Sequence, residues 1–241
     1  MPVLQATTVL AASCVLVCTL VILAGAQSSA NRYLREPSSV KRVRLGSNAV
    51  FYWRFKFGTG QRNLFEEIQW GQFDSNGYML NKYISVLEDF LSYKNPSVAQ
   101  SIQDRLSVLA KNISSREMNI KFQIEKVNRN DASITYGSKV LIWGDEYKSG
   151  PISLIGVPSI TIYKTSMSVV SGDQVYLHCN ADGYPQPYVA WIKNGAVLQN
   201  SSTNYFYHIA SITTSQAGIY TCRATNEGGS VSYALNVTVS T

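Results

Sequence analysis

Apolar and polar residues alternate along most of the chain in short runs closed by turn formers, the pattern of half-buried strands. "GDQVYLHC" at 172–179 places Val175, Leu177 and Cys179 on one face, and "MNIKFQI" at 118–124 does the same with Ile120, Phe122 and Ile124. The same reading predicts strands in "SITIYK" (159–164), "YVAWIK" (188–193), "YFYHIAS" (205–211) and "GIYTCRATN" (218–226). Between them stand Gly183-Tyr-Pro-Gln-Pro187, Gly228-Gly229, and Asn194-Gly195, a pair suited to a two-residue hairpin turn. Strands at such spacing, with tight reversals between them, predict an all-β sandwich in the carboxy-terminal half.

Two stretches depart from this pattern. "YISVLEDFLSY" (83–93) and "VAQSIQDRLSVLA" (98–110) can both be drawn as amphipathic helices, so residues 38–157 read either as a second sandwich or as a mixed domain. The amino terminus differs again. Residues 1–26 carry no charge, contain the apolar run Val9–Ala24, and end in Ala24-Gly25-Ala26. That is the form of a cleaved signal peptide; a retained span would leave the flanking Arg32, Arg35, Lys41 and Arg42 on the cytosolic side. Export is the expectation, with no span left after removal. Whether the chain is a soluble form or part of a longer cell-surface protein stays open.

With Cys14 and Cys18 in the removed segment, Cys179 and Cys222 are the only thiols of the mature chain. Two thiols in an exported protein imply one bridge, worth about 4 kcal/mol on the chain-entropy model. Trp191 lies between them and Tyr220 stands two residues before the second. Residues 158–241 thereby resemble an I-type immunoglobulin domain. The resemblance implies a bridge joining two sheets, Trp191 packed against it, and the Tyr220 hydroxyl pinning a corner. Gln216 departs from the family pattern, which has an aspartate there that often pairs with an arginine.

The same spacing recurs upstream without thiols. Gly46 leads Trp53 as Gly172 leads Cys179, and Ile68-x-Trp70 matches Val189-x-Trp191. "NDASITYGSKV" (130–140) supplies Tyr136, then Ser138 or, one register earlier, Gly137 in the second cysteine's place. Residues 38–157 therefore resemble a V-type immunoglobulin domain without its disulfide, with a buried indole in its stead. The expected architecture is two tandem immunoglobulin-like β-sandwiches after a signal peptide (1–26) and a short segment (27–37). The direct passage through Val157-Pro158 suggests a stiff, end-to-end arrangement.

Candidate chemistry is sparse. His178 and His208 fall in predicted strands away from ligand-spaced partners, and Glu66-Glu67 and Glu88-Asp89 are neighbours that a strand points apart. No catalytic residue, metal site or cofactor is expected. The second half balances Lys164, Lys193 and Arg223 against Asp173, Asp182 and Glu227, so the net charge of +6 resides in the first. For an exported chain this excess points to an acidic protein or anionic glycans rather than nucleic acid. Lys41, Arg42 and Arg44 form its densest cluster, on what reads as the first, edge strand, where cations also discourage sheet-to-sheet association.

Asn112, Asn200 and Asn236 head glycosylation sequons. Candidate partner-binding loops are 58–63, with Arg62, and 144–150, with Tyr147 and Lys148 in a paratope-like mixture. The resemblance implies recognition of a protein partner, homophilic or heterophilic, in cell adhesion or immunity, through the first domain. The alternative is a soluble effector or decoy that binds microbial or anionic glycan surfaces.

Overall fold

The computed structural model describes residues 30–89, 91–161, 164–201 and 206–241. The expected signal segment, 1–26, lies outside them. The regular structure of the described residues is almost entirely strand, arranged as two sandwiches in tandem.

In the first sandwich, β1 (Arg32–Arg35), β3 (Ala49–Lys56), β8 (Glu117–Ile124) and β7 (Leu106–Ile113) form one sheet in the order β1-β3-β8-β7. Facing it, β9 (Thr135–Ile142) pairs with β4 (Phe65–Phe73), followed outward by β5 (Met79–Leu87) and β6 (Ser92–Lys94). On the other side β10 (Asp145–Lys148) and β11 (Ile152–Thr161) both pair with β9, and β2 (Val40–Arg44) lies parallel to β11 at the edge. Two extra strands, β5 and β6, beside the β4–β9 pair are the V-type arrangement. Of the two apparent helices, 83–89 is strand and turn and 92–93 is strand, and 98–110 keeps only the turn Gln100–Gln103 before β7. Burial decides it: Tyr83, Ile84 and Val86 all go inside, where a strand between two neighbours satisfies its backbone. The segment 27–37 contributes β1, so the cationic β2 is the second strand.

The second sandwich places β12 (Ser166–Val170), β19 (Gly229–Ser240), β18 (Gly218–Asn226), β15 (Tyr188–Lys193) and β16 (Ala196–Ser201) in one sheet. Opposite them β13 (Val175–His178) pairs with β17 (Phe206–Ile209), and β14 (Asn180–Tyr184) pairs with the end of β11. A bridge joins Cys179 to Cys222 with Cα atoms 6.3 Å apart. Trp191 stands opposite Cys222 on β15, and the Tyr220 hydroxyl donates to the Gln216 carbonyl at 2.8 Å.

The first sandwich repeats these relations without sulfur. Trp70 stands opposite Ser138, as Trp191 does opposite Cys222, which fixes Ser138 as the counterpart of the second cysteine. Gly137 faces the other way, its Cα bare against the Phe73 ring, where a Cβ would meet ring carbon at 2.9 Å. Trp53, in the first cysteine's place, is fully buried beside Phe51 and Phe122. Trp70 stacks on Phe122 at 5.2 Å and on Tyr136 at 5.7 Å. The inter-sheet tie is polar: the Ser138 and Tyr33 hydroxyls are hydrogen-bonded at 2.9 Å, joining β9 to β1 across the two sheets. Tyr33 also donates to the Tyr147 carbonyl, and burial drives its phenol far above the ordinary tyrosine pKa.

The corner residues differ between the halves. Tyr136 donates to the Asp131 carbonyl at 2.9 Å, and the Asp131 carboxylate takes a bidentate pair from Arg105 at 2.6 and 2.9 Å. In the second half Gln216 caps a short turn instead, while the Lys193 ammonium donates to the Gln216 and Ala217 carbonyls and lies 4.7 Å from the Tyr220 ring centre. β11 runs without a break from one sandwich into the other. Asn226 braces it by donating to the Gly156 and Pro185 carbonyls, and Arg129 pairs with Asp182 across the junction.

Candidate recognition surface

The sheet face of the first sandwich turned away from its core carries Glu67, Gln69, Lys139, Leu141, Glu146 and Lys148. Strand alternation puts them there: Ile68, Trp70, Val140 and Ile142, on the other face, are buried. The charges interlock rather than stand alone. Lys139 meets Glu146 at 2.7 Å, Lys148 meets Glu146 at 3.7 Å, and Lys82 meets Glu67 at 3.8 Å. The hydrogen bond from Lys139 holds the Glu146 carboxyl below its usual range, with Lys148 adding to it. Lys148 also lies 4.8 Å over the exposed Tyr78 ring.

At one end of this face β9 turns into β10 through Trp143-Gly144. Both residues have positive φ, 45° and 84°, as a two-residue hairpin with the right twist requires. Glycine suits that conformation and tryptophan does not. The turn is anchored on both sides: Trp143 N–H donates to the Leu64 carbonyl and Gly144 N–H to the Glu66 carboxylate, each at 3.0 Å. The Trp143 indole stands 79% exposed. The sequence pattern does not mark this residue, because the loop it predicts, 144–150, begins one position later.

Other candidates fall elsewhere. Tyr147 is turned toward the core. Its ring meets Phe55 edge-on at 5.6 Å, and its hydroxyl accepts from Asn31 at 3.0 Å. The strand register explains this, since Tyr147 pairs with the buried Val140 while Glu146 and Lys148 face out. Arg62 lies over the Phe57 and Phe65 rings at 5.8 and 5.4 Å, at the end of the sandwich. Lys41, Arg42 and Arg44 do not converge: β2 sends Arg42 and Arg44 to one face, and puts Lys41 on the face that buries Val43. Asn112, Asn200 and Asn236 are all exposed. His178 and His208 stand exposed on the outside of β13 and β17, with His208 stacked on Tyr176 at 4.4 Å. Among the described residues no three metal-ligating side chains come together, and no helix is long and apolar enough to cross a membrane.

Comparison with known proteins covers the second half most securely. An immunoglobulin-domain family model matches residues 157–226. Hemicentin-2 of Mus musculus is 36% identical over 73 residues, 30% of this chain and 1% of that protein. Protein sidekick of Drosophila melanogaster is 40% identical over 76 residues, 31% of this chain and 3% of that protein. Neuronal cell adhesion molecule of Mus musculus is 27% identical over 157 residues, 63% of this chain and 12% of its own. The chain thus spans a small part of each. Among solved structures, a complex of Dpr11 IG1 with DIP-gamma aligns over 88% of this chain and 100% of the matched one, at 19% identity and a TM-score of 0.40. The second sandwich, bridged between Cys179 and Cys222, is the part of the chain that the immunoglobulin-domain model matches; the first is a sandwich of similar strand pattern without the bridge.

Proposed function

We propose that the chain serves extracellular recognition in cell adhesion, binding a protein partner through the outward face of β4, β5, β9 and β10 and the hairpin at its end. The observation that carries this reading is Trp143. A bulky residue at positive φ carries a steric cost of about 1–2 kcal/mol that asparagine or glycine would avoid. Its indole contributes nothing to the core, being exposed. An exposed aromatic on an anchored turn, at the end of a face that also carries Leu141, Tyr78 and paired charges, has the make-up of an interface, where tryptophan, tyrosine and arginine dominate binding energy. The neuronal cell adhesion molecule among its relatives supports an adhesive role.

The reading is tested with beads coated with the mature chain and by sedimentation velocity. A second copy as partner predicts bead clustering and concentration-dependent dimerisation; a different partner predicts attachment of coated beads to cells that display it. Trp143→Ala should abolish whichever is seen and leave the unfolding midpoint unchanged. Binding that survives Trp143→Ala and Leu141→Ser together refutes the assignment of this face.

A further inference from the structure

The opposite sheet of the same sandwich carries a separate feature. Its outer surface holds an open groove of about 600 Å³ that crosses β1, β3, β8 and β7, with Arg35, Tyr52, Lys111, Asn112, Asn119 and Lys121 along it. Tyr52 is its centre. The Arg35 guanidinium lies 5.0 Å from the Tyr52 ring centre and the Lys121 ammonium 5.8 Å, so two cations share one aromatic ring. The Tyr52 hydroxyl donates to the Asn119 side-chain carbonyl at 2.7 Å, which fixes the ring and leaves the amide nitrogen of Asn119 free to face a ligand. Lys121 stands opposite Ala110, whose small side chain keeps the groove open toward β7.

The charge here is uncompensated. Among the described residues neither Arg35, Lys111 nor Lys121 has a carboxylate within salt-bridge distance, whereas Arg54 on the same sheet is paired with Glu117 at 2.7 Å. Glu36, beside Arg35 in sequence, is turned away to accept from Gly150 N–H at 3.0 Å. Cations drawn together without an acid between them repel one another, and a bound anion reverses the sign of that energy. The walls are polar and bear amides suited to hydroxyl groups. Four strands at about 4.8 Å spacing give a track long enough for several sugar units.

We infer that this groove is a binding site for a sulfated polysaccharide, with Arg35 and Lys121, held together by the Tyr52 ring, each taking a sulfate group and the Asn119 amide meeting a sugar hydroxyl. It lies on the sheet opposite the proposed protein-binding face, so either assignment can fail alone. Asn112, which heads a sequon, lines the same groove; a glycan attached there would compete for it.

The test uses the full mature chain, secreted by a host that adds no N-glycan, on immobilised heparin decasaccharide. The expected result is binding near 0.15 M salt that weakens about tenfold or more in Arg35→Gln/Lys121→Gln, with the salt slope falling by about two. The charge-matched pair Arg42→Gln/Arg44→Gln should change affinity by less than about threefold, since those cations lie on another edge. Desulfated heparin, polyglutamate and phosphatidylserine vesicles serve as competing probes. Equal loss in both pairs, equal binding to polyglutamate or the vesicles, or no binding to heparin overturns the proposal. Circular dichroism of each variant shows that a loss is not unfolding.

Discussion

Asp131→Ala is the most informative single perturbation of the first sandwich. The carboxylate is 4% exposed and satisfied three times, by the Arg105 pair and by the Asn128 backbone N–H at 2.8 Å. Truncation strands the Arg105 guanidinium, 18% exposed, and opens the cap that holds the turn before β9. Breaking a buried pair by removing one partner costs about 3–5 kcal/mol. Arg105 keeps the Ser101 carbonyl at 2.9 Å and the Glu125 carbonyl at 3.2 Å, which offset part of that, so the lower end of the range, about 3 kcal/mol, is expected. The assay is urea unfolding of the full chain, followed by tryptophan fluorescence. Arg105→Ala and the double variant complete a cycle, in which the second substitution should add much less than the first. A loss under about 1 kcal/mol, or full additivity, would show that the pair is not what holds this corner.

Three further outcomes follow from the same contacts. Tyr33 and Tyr136 are both held protonated by burial, their folded pKa values raised far above the ordinary value of about 10; their stabilisation is therefore complete below that pH and is lost as pH rises toward the folded values. Each should contribute a slope of about 1.4 kcal/mol per pH unit above pH 10, and Tyr33→Phe should remove one such slope in alkaline urea titrations; an unchanged slope contradicts it. Reducing Cys179–Cys222 should destabilise the second sandwich by about 4 kcal/mol and leave the first, which has no bridge, with its unfolding midpoint in place; two equally shifted transitions would contradict this. Gly156→Ala should destabilise the junction by about 1–3 kcal/mol, because the new Cβ meets Leu45 at 2.8 Å and the Tyr184 backbone nitrogen at 2.9 Å; proteolysis within 155–160 measures it, and unchanged resistance counts against the close fit.

The second sandwich was legible because Cys179, Trp191, Tyr220 and Cys222 constrain one another at fixed spacing, and each has a single use in such a fold. The first was legible only by laying that spacing over residues with other chemistry, which left Gly137 and Ser138 undecided until the pairing with Trp70 settled it. Side-chain direction was harder to read. Along a strand a displacement of one residue reverses every side chain, and Tyr147 between Glu146 and Lys148 shows the consequence: composition marked the stretch as a binding loop, while register turned its one aromatic inward. The same alternation divides Lys41 from Arg42 and Arg44, which sequence proximity had grouped. β1 escaped notice because "RYLR" is too short for its alternation to register. The groove at Tyr52 could not have been found by pattern, since its residues come from four strands spread over 35–121.

The missing bridge and the short β1 belong to one solution. A disulfide ties two sheets covalently at a single point, and a sandwich that lacks it must hold its sheets by packing and by hydrogen bonds. Trp53 supplies the packing, buried completely among Phe51 and Phe122. Ser138 cannot reach across by itself, and β1 brings Tyr33 from the opposite sheet to meet it at 2.9 Å. The same phenol also donates to the Tyr147 carbonyl, so β1, β9 and β10 share one polar junction inside the sandwich. A hydrogen bond of this kind contributes about 1 kcal/mol, less than a bridge, and the aromatic stack around Trp70 makes up the difference through burial. This tie does not depend on redox state. The hairpin that presents Trp143 is therefore anchored, through β9 and β10, to a core that reducing conditions leave intact.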